Sequence, residues 1–179
     1  MTNLPEDYAF IRRMRELVHA SGLMREAHFD AVTCRFVGAG LRLDLLNVWH
    51  TTQQLKHPDT ETIVAGWLRP KQLGQACYFG RVDVVERAIT SGAPLDGSDF
   101  GGDPIAGAIE ASVVTELHVE CVERLFAAGA EATLAQFESH EAESIGSPLD
   151  RELLRLLVEY GRESKDPKVR AKATEVSGR

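Results

Sequence analysis

Six histidines, three cysteines and 27 acidic residues are the groups in this 179-residue chain that could hold a metal or move a proton. Their spacing decides which chemistry is open to it. His19, His28, His50, His57, His118 and His140 are scattered, with neither an HExxH arrangement nor the i, i+4 pair by which a helix offers two imidazoles to one metal. Cys34, Cys77 and Cys121 are odd in number and form no CxxC pair, which argues against a zinc knuckle or a disulfide framework and for a reducing compartment. A nucleophile built from Cys34 and His28 lacks a third orienting group and a glycine-rich oxyanion turn beside it. The enzymatic alternative therefore has to gather His28, Cys34, Asp44 and His50 into one site of a small enzyme or metal-dependent hydrolase in the first seventy residues. Glu141 and Glu143 stand two apart on a helix, point in different directions and read as solvated surface. The run "GAGLRLD" from Gly38 to Asp44 has no third glycine and no βαβ context, so it reads as a turn before a helix. No catalytic residue, metal ligand or cofactor is assigned.

The surrounding chain sets further bounds. Lys and Arg number 20 against 27 Asp and Glu, and the net charge of −7 disfavours attraction to a nucleic-acid backbone while suiting a basic partner. With 44% hydrophobic residues the chain can bury a core of one domain's size. The N-terminus "MTNLPEDYAFIRRMREL" is charged throughout and no segment reaches the ~18 uncharged residues that span a bilayer, so no membrane contact and a cytoplasmic location are expected. The cationic run from Lys165 onward reads as a solvated tail over 162–179.

The elements that position these groups come from a recurrence: "VERAITSGAPLD" from Val85 returns as "VERLFAAGAEAT" from Val122. Val82, Val85, Ala88 and Ile89 share one face of a helix, and Gly92 stands just beyond it as a C-cap. Residues Ala76, Gly80, Val84, Val85, Ile89, Gly92 and Ala93 resemble the ankyrin-repeat pattern position for position, with Arg81 where that family has His. A second unit is similar through "DPIAGA" from Asp103 to Ala108 and "CVERLFAAGA" from Cys121 to Ala130. Gly129 follows Gly92 by 37 residues, against the family's ~33, and the excess lies in "ASVVTELHVE" from Ala111 to Glu120. A third, more divergent unit runs from Thr133, with Ser147 as N-cap, Pro148 at the first helical position, a stripe of Leu149, Leu153, Leu156, Leu157 and Tyr160, and Gly161 as its end.

The resemblance implies an all-α protein: an ankyrin-like array over 70–161, with two recognisable units and a C-terminal cap. Residues 1–69 are expected to form an N-terminal helical cap or a degenerate repeat. Helices are predicted there from "PEDYAFIRRMRELVHAS", "LRLDLLNVWHTTQQL" and "DTETIVAGWL". The resemblance also implies a nonenzymatic module that binds a protein partner through turn tips and first helices, and the small inhibitory and immunity-type members of the family suggest neutralisation of a cognate toxin. On that register Tyr78, Phe79, Ser98, Phe100, Ile109, Glu110, Glu116 and His118 are the partner-binding candidates, with Tyr78, Phe79 and Phe100 on one concave side. The sequence leaves the oligomeric state open.

Overall fold

The computed structural model describes residues 28–30, 35–38, 41–44, 72–98, 102–111 and 114–178. The chain divides into two compact units, Met1–Pro70 and Lys71–Arg179.

In the N-terminal unit, β1 (His28–Asp30), β2 (Arg35–Gly38) and β3 (Leu41–Asp44) form an antiparallel sheet in that order. Phe29, Phe36 and Leu43 are register partners in one row across it, flanked by the row Asp30, Arg35, Asp44 and the row His28, Val37, Arg42. Along β1 and β3 polar and apolar residues alternate, the period-2 pattern of a pleated sheet. This corrects the all-helical expectation for residues 1–69: Leu41–Asp44 is a strand and does not open a helix, and the turn before it joins two strands, with Gly38 opposite Leu41. The helices predicted from Pro5 and Asp59 lie outside the described residues.

The described residues of the C-terminal unit are helical throughout. Its helices are α1 (Leu73–Tyr78), α2 (Val82–Thr90), α3 (Pro104–Ile109), α4 (Glu116–Ala127), α5 (Leu134–Glu143), α6 (Pro148–Arg162) and α7 (Pro167–Ser177). Their boundaries are local chemistry. Asp103, Ser147 and Asp166 each cap a helix with the side-chain oxygen, and each is followed by a proline in the first turn, where the missing N–H costs nothing. At the C-termini of α2 and α4, Gly92 (φ 72°) and Gly129 (φ 98°) take the left-handed conformation. The following alanines then bond back to the carbonyls of Ala88 and Leu125, at 2.9 and 3.0 Å.

The helices form three antiparallel-linked pairs, α1–α2, α3–α4 and α5–α6. First helices pack on first helices, α1 on α3 and α3 on α5. Second helices pack on second helices, α2 on α4 and α4 on α6. Val85, Ile105, Leu125, Phe137, Leu153 and Leu157 are buried between the layers. Each such side chain contributes roughly 1.5–3 kcal/mol, against about 1 kcal/mol for a cap, so packing holds the stack and the caps define its ends.

Two expectations change at the C-terminus. Gly161 is inside α6, not beyond it: a β-carbon there would stand 3.1 Å from Cβ of Ala173 and 3.2 Å from a ring carbon of Phe137. Its role is close approach. Nor is 162–179 a solvated tail, because α7 packs on α5 and α6 with Val169 and Ala173 buried. Its cations stay at the surface, where Lys172 meets Glu141 at 2.7 Å.

Candidate functional site

His118 is fully buried at the third position of α4. The backbone N–H of Thr115 donates to its Nδ1 at 3.0 Å, so that nitrogen carries no proton and Nε2–H donates to the carbonyl oxygen of Tyr78, also at 3.0 Å. The imidazole thus satisfies the N-cap of α4 and ties it to the end of α1. Burial pushes its pKa down to about 4, outweighing the bonds to Tyr78 and Thr115 that act the other way. Partner contact is excluded for this side chain, which corrects its place among the binding candidates. Its neighbours Leu117 and Val119 are buried too, so this part of the "ASVVTELHVE" excess packs inward.

The same device recurs one pair later. Thr133 N–H donates to Oε1 of Gln136 at 3.0 Å, and Nε2 of Gln136 donates to Oδ2 of Asp103, the cap of α3, at 2.8 Å. In α6 the acceptor is Asp150, which takes the N–H of Ser147 at 2.8 Å, while its backbone carbonyl accepts from the buried His140. The His118 bond ties the start of α4 to the end of α1, the Gln136 bond sets the N-termini of α3 and α5 together, and the His140 bond joins α5 to α6.

The remaining candidates divide accordingly. Tyr78 and Phe79 are half-buried at the C-terminal end of α1, their rings edge to face with centroids 5.1 Å apart. Glu110, exposed at the equivalent end of α3, accepts from the hydroxyl of Ser139 at 3.0 Å. Glu116 is exposed in the first turn of α4. Ile109 is 4% exposed and belongs to the core, because α3 has neighbours on two sides and buries Pro104, Ile105 and Ala108 with it. That removes it as a contact residue. Ser98 is exposed at the other end, in the segment leading to α3, and Phe100 lies outside the described residues. Tyr78 and Phe79 stand at the C-terminal end of α1, whereas Ser98 precedes the N-terminus of α3, and the expected grouping of Tyr78, Phe79 and Phe100 on one concave side falls outside the described residues at Phe100.

The end carrying Ser98 has a feature that spacing did not reveal. The turns after α2 and α4 enclose a groove of about 490 Å³, with Pro94 and Leu95 on one wall, Gly129 and Ala130 on the other, and carboxylates at Asp96, Asp103 and Glu131. The hydroxyl and N–H of Ser98 hold the Asp96 carboxyl below its ordinary pKa, so it is charged at neutral pH. The Gly-Ala that follows both α2 and α4 was the sequence signal for this geometry, since it makes these two turns equivalent.

Compared with known proteins, the chain matches no family model, no curated protein and no solved structure. Its chemistry is therefore judged on its own groups. Cys77 and Cys121 are buried free thiols, and the hydrogen bond that the Cys121 thiol makes to Cys77, together with burial, pushes Cys121 well above the ordinary thiol value, away from the reactive thiolate. Among the described residues no group of three His, Cys, Asp or Glu side chains could hold a metal, and no helix is long and apolar enough to cross a membrane. Of the alternative hydrolase set, Cys34 and His50 lie outside the described residues. His28 and Asp44 lie on the outer strands β1 and β3, in rows two apart.

Proposed function

We propose that residues 71–179 form an ankyrin-type array that works as a nonenzymatic protein-binding module. The observation that carries this reading is the stacking of first helix on first helix and second on second through three consecutive pairs, which sets the turns between pairs in a row. Two of these turns frame the groove with Leu95 on its wall and three carboxylates around it. A partner segment presenting Lys or Arg next to an apolar side chain fits that chemistry, and the chain's net charge of −7 favours the encounter. Glu110 and Glu116 extend the acidic surface elsewhere on the array. Tyr78 and Phe79 supply a second, aromatic edge at the C-terminal end of α1.

The narrower form of the proposal is that binding inhibits, as an immunity-type protein neutralises a cognate toxin; the chain's acidity supports it. The test is capture of partners from cell extract on the parent chain and on an Asp96→Lys/Glu131→Lys variant with an unchanged thermal melt. Partners held by the parent and lost by the variant support the groove as the interface, whereas identical sets sink it. For the inhibitory form, co-expression with a captured enzyme or toxin should abolish that protein's activity with the parent and leave it intact with the variant.

A further inference from the structure

A second surface lies on α6, away from the turns. Tyr160 stacks on Phe126 of α4 with ring centroids 4.4 Å apart, which fixes the flank of α6 that meets the preceding pair. The opposite flank carries no further second helix among the described residues. Leu154 and Val158 are half-buried there, and with Val176 of α7 they floor a groove of about 690 Å³. Its rim is ordered along the helix: Arg151 and Arg155 stand toward the N-terminus, and Glu159 and Glu163, with Arg162 between them, toward the C-terminus.

We infer that this groove is the self-association surface of the protein and that its occupant is the α6 flank of a second copy. An antiparallel copy of α6 related by a two-fold axis at Leu157 sets Arg151 against Glu163, Glu152 against Arg162 and Arg155 against Glu159. All three pairs are of opposite charge, and each occurs twice by symmetry. Parallel placement would put like charges together. Within one chain Arg155 already bonds Glu152 at 2.7 Å and Glu159 at 2.6 Å, so its guanidinium is held over the groove edge with donors to spare for a carboxylate from across the axis. Leu154, Val158 and Val176 of both copies supply the apolar centre that exposed ion pairs alone would not.

The test uses the full chain in sedimentation velocity at about 0.1 mM. A dimer is expected for the parent, weakening as salt rises. Arg155→Glu alone and Glu159→Arg alone set like charges against each other across the axis, and each is expected to raise the dimer Kd at least ~tenfold. An equimolar mixture of the two variants restores both opposite-charge pairs and is expected to give a heterodimer near parental strength. Because the mixture contains only those two chains, restoration cannot come from a folding defect. Leu154→Glu, with the parental helical circular dichroism, should be monomeric. A monomeric parent at this concentration overturns the inference and leaves the groove to some other chain. So does a dimer that the single reversals leave intact, or a mixture that stays monomeric.

Discussion

The first joint of the array, between pairs α1–α2 and α3–α4, and the second, between α3–α4 and α5–α6, use one construction with two side chains. In each, the third residue of a helix accepts the N–H of its own N-cap and donates to the neighbouring pair: His118 to the carbonyl of Tyr78, Gln136 to the carboxylate of Asp103. They differ in exposure. The bond from Thr115 to His118 is buried, whereas the bond from Thr133 to Gln136 is only partly so. The geometry of a cap leaves the choice of side chain open, and burial then decides how costly its loss becomes and whether proton concentration is felt.

The largest effect should follow from emptying the first joint. His118→Ala leaves the Thr115 N–H and the Tyr78 carbonyl without this partner and opens a cavity, so a loss of about 3–5 kcal/mol is expected in urea unfolding. His118→Gln, which copies the second joint, should recover much of it; equal damage from both would mean that the ring's packing matters and its bonds do not.

Acid should separate the joints next. The folded pKa of His118, about 4, lies below the ordinary 6.5. The unfolded chain therefore binds the proton first, and the stability this group confers is complete above pH 6.5 and lost as pH falls toward 4. The difference amounts to about 3 kcal/mol. His118→Gln lacks that dependence, so the parent should lose about this amount of stability relative to the variant between pH 7 and pH 4, enough to reverse their order if glutamine restores most of the joint. A constant gap would show that the imidazole is not neutral and buried.

Emptying the second joint should cost less. Gln136→Ala is expected to destabilise by about 2 kcal/mol, because solvent can satisfy part of what it leaves. The smallest effect belongs to the exposed link between second helices, where Arg124 meets Glu86 at 3.0 Å. Both side chains are about half exposed, and Arg124→Ala should change stability by about 0.5 kcal/mol or less in the same assay. A larger loss would shift weight from the buried polar ties to the surface.

Much of the helical unit was legible because its signals are local. Ser147-Pro148 and the Gly-Ala after α2 and α4 announce caps without reference to the rest of the chain, and the Leu153, Leu156, Leu157 stripe announces a buried face. What escaped depended on neighbours. Asp166-Pro167 is as good a helix start as Ser147-Pro148, but the face behind it is only Val169, Ala173 and Val176, and the cations around it suggested solvent. Gly161 resembles a helix end until α7 and Phe137 are seen to need its space. Ile109 was assigned to the surface because a first helix usually shows one side to water, whereas α3 is covered on both flanks. His118 was misplaced for a chemical reason: the capping-box signature expects Glu or Gln three residues after Thr115, and an imidazole accepts the same N–H. In the N-terminal unit the alternation Leu41, Arg42, Leu43, Asp44 runs directly into "LLNVW", whose helical spacing masked it.

The ties between pairs also bear on how the protein is made. The side-chain bonds joining His118 to Tyr78, Gln136 to Asp103, Lys172 to Glu141 and Ser139 to Glu110 span 40, 33, 31 and 29 residues. Each closes a loop about one repeat long, so each becomes possible as soon as the next pair has been synthesised, without waiting for the end of the chain. On the ribosome the helix pairs can therefore assemble in step with translation, α1 packing on α3 and then being tied to α4 when His118 emerges.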